Sequence, residues 1–573
     1  MDSNHLINMD EKPNLAQLLK ERLNINAGQW QDCLAEHKKT AVSLVRILIS
    51  KGVASEDELL KILSEQLSIP YLRVKPEDID AELAKKIPAK LVTHYNFMPI
   101  RQEGDVLRIA INDPLDILAL DEIKLFLNQE IQPLLASQKD IVEAIKNFYG
   151  LGAETLEAMA LQQPPTDSGI LRPEKSKDIK DEAIDPSVIK FLNQILLDAI
   201  KQRATDIHFE PFEDDLRVRY RIDGILYEIS CPPTIKHFQS SIASRIKVMA
   251  SLDIAEKRRP QDGRMDIKIE EEIYDLRISI MPTSFGESIG IRILPHSSPI
   301  ATLEGLGLSP EGLEVLERMI TRPHGIIIVA GPTGSGKTTT LYACLDKINS
   351  SERKILTIED PIEYKLKGIT QMQIEPKIGF TFANALRSML RHDPNVMMVG
   401  EIRDTETAEL AVRTSLTGHL VFSTLHTNDA AGVITRLLDM GIDSFLVSSS
   451  IILIIAQRLV RLICPHCKEK YTPGPEILKQ FIQDKPFEGT IFHGRGCEKC
   501  RFTGYQGRTG IFEILIASEE IREMIHKKTP SQQIKEKAIS LGMKTLRQAG
   551  WDKIKQGLTA PEEVLRVAQE EEA

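Results

Sequence analysis

No run of apolar residues in this chain approaches the ~18 to 20 residues of a membrane span. The longest, Ser450-Ile-Ile-Leu-Ile-Ile-Ala456, suits one buried helix or strand, so any membrane contact would go through partner proteins. The opening residues, MDSNHLINMDEKPN, include acidic groups and lack an apolar stretch. No secretory signal is read there, and the protein is expected to be cytoplasmic. Aromatic residues are scarce at 5%, and the formal charge is −10. Both count against a protein that tracks nucleic acid, which needs a basic channel and stacking platforms. Cysteine is scarce too: 7 in 573 residues do not make a disulfide framework.

What is present is an ordinary folding composition, 42% hydrophobic and 27% charged. At roughly 150 residues per domain the length suggests three or four domains. Residues 1–150 read as a helix-rich docking or regulatory domain. Ser55-Glu56-Asp57-Glu58 is a capping box followed by Leu59, Leu60, Ile62, Leu63 and Leu67 at helical spacing. Val106 to Ile111 is strand-like, and a helix is expected from about Lys139 to Tyr149. Residues 151–184, with QQPPTDSG and RPEKSKDIKDE, lack apolar periodicity and read as a flexible linker that lets the first domain move. A domain over 185–300 starts with an amphipathic helix. The remainder, 301–573, holds the chemistry, and its residues from 501 onward read as mostly helical and charged.

Gly331 to Thr338 complete the pattern G-x-x-x-x-G-K-[ST] after the apolar strand Ile326–Val329. Such a loop, Gly331-Pro332-Thr333-Gly334-Ser335-Gly336 leading into Lys337, Thr338 and Thr339, turns backbone N–H groups toward an anion. A helix from Lys337 to about Asn349 would add its dipole, with Lys337 on the β- and γ-phosphates and Thr338 on Mg²⁺. Three later strands end in polar residues: Glu359-Asp360-Pro361-Ile362-Glu363, Gly400-Glu401-Ile402-Arg403-Asp404 and Leu425-His426-Thr427. In a parallel α/β sheet such ends share one crevice. Phosphoryl transfer to water needs a metal, a group that positions the water, and cations for the transition state. Glu401 is the candidate for the metal shell through water, Glu363 or Glu359 for orienting the water, and His426 for sensing the γ-phosphate.

Two further patterns are chemical. Leu216 to Ile222 alternates, so Arg217, Arg219 and Arg221 share one strand face. That face is either solvated or reaches phosphates or acidic groups on a neighbouring surface. Lys257 to Arg264 forms a second basic cluster. Cys464, Cys467, Cys497 and Cys500 have the spacing of a closed Cys₄ zinc site in an insert over 464–500; redox-active pairs are the alternative.

GPTGSGKTTT, ILTIEDPIEY, LRHDPNVMMVGEIRD and TGHLVFSTLHTNDA resemble the Walker A, Asp box, Walker B and His box of the ATPases that drive type II secretion and type IV pilus assembly. The resemblance extends from about residue 185 to the C-terminus and includes DIHFEP, RVRYRIDGIL and GRTGIFEIL. It implies an α/β fold: a RecA-like ATPase domain with a zinc insert, preceded by a PAS-like α+β domain and the N-terminal domain. It further implies a cytoplasmic homo-hexamer, peripheral at the inner membrane, that hydrolyses ATP with Mg²⁺ and works on an inner-membrane platform protein. Arginine fingers would come from the PAS-like domain, with Arg219 and Arg221 favoured beside Arg217, and Arg258, Arg259 and Arg264 as a second source. The cysteine pairs point to the extension or secretion branch rather than to retraction motors. Some relatives bind cyclic di-GMP through an R-L-G-x-x-L-type motif; the corresponding Ser43–Leu48 lacks the glycine, which argues against that ligand. The rival reading is a nucleic-acid-handling P-loop ring.

Overall fold

The computed structural model describes residues 19–568 apart from 20–21, 24, 41–43, 105, 115–116, 128, 151–185, 270–271, 297–300 and 482–488. The segment expected to be a linker lies outside the described residues. The chain divides into two units, Met1–Leu294 and Pro295–Ala573.

The first unit holds two cores. Around residues 27–150, helices surround a three-stranded sheet of β1 (Phe97–Glu103), β2 (Val106–Ile111) and β3 (Glu130–Leu135). The Ser55 hydroxyl caps helix Glu56–Leu67 by accepting from the Glu58 amide, and Leu59, Leu60 and Leu63 are buried behind it. Capping of this kind contributes about 1 kcal/mol. The second core lies between an open sheet and two helices, Pro186–Lys201 and Gln239–Met249. Its strands are β4 (Asp206–Pro211), β5 (Leu216–Ile222), β6 (Ile225–Ile229), β7 (Gln261–Ile269), β8 (Glu272–Thr283) and β9 (Gly286–Pro295), in the order β6-β5-β4-β9-β8-β7. β5 alternates buried and half-buried along its whole length, which places Leu216, Val218, Tyr220 and Ile222 in the core and the three arginines on the opposite face. The two parts touch where Lys146 pairs with Asp198 at 2.7 Å.

The second unit is built on a seven-stranded sheet in the order β12-β11-β13-β14-β10-β15-β18. These are β10 (Gly325–Ala330), β11 (Ile355–Glu359), β12 (Thr370–Gln373), β13 (Val396–Val399), β14 (Leu420–Leu425), β15 (Ile451–Ile463) and β18 (Tyr505–Ile516). The first six run parallel, and β18 pairs antiparallel with β15. All of β10, β11, β13 and β14 is buried. Helices on both faces explain why these strands read as unbroken apolar runs rather than alternating ones. Tyr505–Ile516 departs from the expectation of a mostly helical C-terminal stretch: it is the longest partner of β15, and helices resume only from Glu519. Between β15 and β18 the chain forms a small hairpin, β16 (Lys468–Tyr471) with β17 (Ile491–Gly494).

Candidate active site

Parallel pairing brings the ends of four strands to one edge. Ala330 lies beside Leu425, and Val399 beside both Ile358 and Ser423. The segments that follow, from Gly331, Glu359, Gly400 and Leu425, are therefore neighbours although they span almost a hundred residues of sequence.

The loop after β10 needs glycine for reasons of space. A Cβ on Gly331 would lie 2.6 Å from both the Gln457 carbonyl oxygen and Ser335 Oγ, and one on Gly336 2.8 Å from Gln457 Nε2. Gly336 has φ +87° and opens helix Lys337–Ile348, so the first amides of that helix face the loop. Beneath it, Thr340 Oγ1 donates to Gln457 Oε1 at 2.7 Å. Gln457 belongs to β15 and braces the loop from a strand more than a hundred residues away. The Arg458 guanidinium beside it donates to the Asn428 carbonyl at 3.0 Å, tying β15 to the segment after His426.

Lys337 Nζ donates to the carbonyls of Gly331 at 2.8 Å and Pro332 at 3.0 Å. Burial pushes this ammonium down to about 8; Glu401 opposes the shift and Arg458 adds to it. Phosphate oxygens beside it would raise the value again. If nucleotide phosphates sit on Lys337, the expected result at pH 8 is an uptake of about half a proton on binding. Near pH 6.5 the lysine is charged in both states and contributes no uptake. Calorimetry in buffers of different ionisation enthalpy measures this; zero uptake at pH 8 would contradict the placement of Lys337 on the phosphates.

Glu401 is mostly buried, makes an ion pair with Arg403, and has His426 Nε2 3.4 Å from its other oxygen. Arg403 in turn reaches Asp360 at 3.5 Å. One cluster thus joins the segments after β11, β13 and β14. The two candidate water-positioning carboxylates differ. Glu359 is 3% exposed and accepts from Thr357 Oγ1 at 2.5 Å, Gln371 Nε2 at 3.1 Å and the Tyr342 hydroxyl. Burial raises its pKa, partly offset by these three donors. Glu363 lies on the turn beyond, its amide donating to the Tyr342 hydroxyl at 3.3 Å.

The three arginines of β5 each have a carboxylate partner in their own sheet. Arg217 Nε is 3.3 Å from Glu228, Arg219 2.6 Å from Glu210, and Arg221 Nε 3.8 Å from Asp206. Of the second basic cluster, Arg258 pairs with Glu256 and Arg264 with Asp275.

The four cysteines converge, their Sγ atoms all within 4.8 Å of one another. Closest separations are 3.7 Å for Cys467–Cys500 and Cys497–Cys500 and 3.9 Å for Cys464–Cys497. Sulfurs ~2.3 Å from a tetrahedral ion lie about 3.8 Å apart, whereas a disulfide requires about 2.05 Å. Amides of Cys497 and Gly504 donate to Cys500 Sγ at 3.2 and 3.3 Å, as suits a thiolate. The set fits Zn²⁺ and leaves no ligand position open.

Sequence reasoning missed Gln457, Arg458 and Tyr342. The first two had a signal, a polar pair directly after a six-residue apolar run; Tyr342 had none, as one apolar-face residue of a helix.

Comparison with known proteins agrees with this geometry. Residues 181–566 match the family model described as "Type II/IV secretion system protein", and residues 67–155 match the MshEN domain. That second match begins beyond Ser43–Leu48, so the argument from the missing glycine against cyclic di-GMP loses its footing. The type IV pilus assembly ATPase PilB of Myxococcus xanthus is 40% identical over 96% of this chain and 98% of its own. The type II secretion system ATPase E of Vibrio cholerae is 47% identical over 76% and 84%. The crystal structure of the pilus retraction motor PilT with ADP covers 66% of this chain and 96% of its own at 29% identity and TM-score 0.44. With its phosphate loop, its clustered carboxylates, a family model over residues 181–566 and a relative aligned along 96% of its length, the chain belongs to the Type II/IV secretion system family and is a secretion or pilus-assembly ATPase.

Proposed function

We propose that the chain is the motor subunit of a homo-hexameric ring, held at the inner membrane by a platform protein, that hydrolyses MgATP to drive pilin polymerisation or type II secretion. The observation that carries this reading is the cluster of Glu401, Arg403, His426 and Asp360 at the same sheet edge as the phosphate loop. A nucleotide scaffold would need only the loop. Lys337 and the helix amides hold the phosphates, Glu363 orients the attacking water, and Glu401, hydrogen-bonded through water, and the Thr338 hydroxyl would hold Mg²⁺. When bound, that ion neutralises charge on the β- and γ-phosphate oxygens. His426, in contact with Glu401, is placed to report the state of the γ-phosphate. Zn²⁺ at the four cysteines is structural. No described helix is long and apolar enough to cross a membrane, and the relatives' names supply the assembly and secretion roles.

Arg219 and Arg221 act as arginine fingers in this reading, exchanging their present carboxylate partners for phosphate oxygens of ATP. Charge stabilisation of this kind accelerates transfer on the order of 10³-fold. A protein with Arg217, Arg219 and Arg221 all replaced by alanine is accordingly expected to lose about that factor in turnover while binding a fluorescent ATP analogue as wild type does. Light scattering with a non-hydrolysable analogue should give six subunits. Full turnover by the triple variant would remove these arginines from the site, and monomers turning over at the full rate would end the ring.

A further inference from the structure

Glu359 is a carboxylate buried at the end of β11. Its three donors are neutral: Thr357, Gln371 and Tyr342. Tyr342 is completely buried. It stands five residues beyond Lys337 on the helix that opens at the phosphate loop. Its hydroxyl has one hydrogen and two lone pairs. The hydrogen goes to Glu359, and a lone pair accepts from the Glu363 amide at 3.3 Å; Gln371 Nε2, whose two hydrogens face Glu359 and the Tyr364 carbonyl, lies 3.4 Å from the same oxygen. Gln371 also donates to the Tyr364 carbonyl at 3.1 Å, on the far side of the same turn. An ionised Glu359 can only accept, so it sets the direction of the Tyr342 hydroxyl and leaves the oxygen free to receive the Glu363 amide.

We propose that Tyr342 and Glu359 are a positioning pair that locks the turn carrying Glu363 to the phosphate-binding helix, and that neither touches ATP or water. This assigns Glu359 a task different from that of Glu363, although the sequence offers both as acidic residues of one short segment. The inference rests on the reading that Glu363 orients the attacking water. The physical requirement is strict, since a displacement of about 1 Å at a reacting group costs about 10²-fold in rate. A hydroxyl that holds the amide of the residue in question, and is itself oriented by a buried carboxylate, meets that requirement.

The test compares Tyr342→Phe, Glu359→Gln, Glu363→Gln and the double variant Tyr342→Phe/Glu363→Gln as full chains. Measurements are kcat and KM for MgATP, nucleotide Kd and melting temperature. Tyr342→Phe is expected to lower kcat by about 10- to 100-fold, with KM and Kd within twofold of wild type. In the double variant the tyrosine change should cost nothing beyond Glu363→Gln, because it acts through Glu363. Glu359→Gln keeps the volume and replaces one acceptor by a donor, so its loss should fall on kcat as well. Unchanged kcat in Tyr342→Phe, losses that multiply in the double variant, or a loss confined to Kd would each overturn the pair. A merely structural role would lower the melting temperature and leave the kcat of the folded protein intact. If Glu363→Gln itself turned over at the wild-type rate, the water-orienting role would fall, and this pair with it, while the phosphate-loop assignment would stand.

Discussion

Serine in place of Cys500 is expected to release one equivalent of zinc and open the chain between Cys464 and Gly504 to protease. The hairpin of the insert packs through Tyr471, Leu478, Phe481 and Ile491 on the C-terminal helices, but the turns that carry the cysteines lie outside that core. The insert's sheet is one two-stranded hairpin, which is marginal on its own in water. The cysteine cluster is a separate small core, and close backbone crossings, such as Gly494 against Gly504, depend on the sulfurs being gathered. A structural zinc site supplies on the order of 10 kcal/mol, comparable to the whole stability of an ordinary domain, so losing a ligand removes most of what orders the cysteine-bearing turns. The two ends of the insert remain pinned by the β15–β18 pairing, with Arg461 opposite Arg508 and Ile463 opposite Tyr505. The sheet of the ATPase domain should therefore melt separately and close to its wild-type temperature. Metal analysis together with limited proteolysis reads both parts. Wild-type protein without zinc, or a Cys500→Ser chain as resistant as wild type, would contradict the Cys₄ account.

Lys337→Ala is expected to reduce MgATP turnover by about 10²-fold or more, and Glu401→Ala by a similar factor, for different reasons. Lys337 is the cation nearest the loop carbonyls. Removing one preorganised group that stabilises developing charge typically costs 10²- to 10³-fold, and part of the loss should appear as weaker nucleotide binding. Glu401 is joined to Arg403 and His426. Truncating it removes a candidate for the magnesium shell and also leaves two cationic or proton-bearing groups without their shared acceptor. Its loss should therefore appear mainly in kcat, with the nucleotide still bound.

Local chemistry was legible in the sequence wherever it is local in space. Val106–Ile111 and Leu216–Ile222 are strands over the expected residues. The capping box at Ser55 and the helix from Lys337 are also in place. Cysteine spacing works because two C-x-x-C turns gather four sulfurs at one point. Three-dimensional support was not legible. Gln457 supports the phosphate loop through the β10–β15 register; the polar pair after the apolar run marks the position but not its distant partner. Glu359 and Glu363 look equivalent as letters; burial and a tyrosine hydroxyl separate them. β18 escaped because its first half, Tyr505–Thr509, is polar and glycine-containing, and the strand is defined by pairing with β15 rather than by its own periodicity. The N-terminal domain reads as helical because helices dominate its apolar pattern, while its small sheet is held by β2 pairing with both neighbours.

The central claim is that the phosphate loop and the Glu401 cluster form one hydrolytic site. Phosphate release by wild type, Lys337→Ala and Glu401→Ala at saturating MgATP tests it most directly. The predicted result is steady turnover in wild type and about 1% or less in either variant; undiminished turnover in both would contradict the assignment of the site.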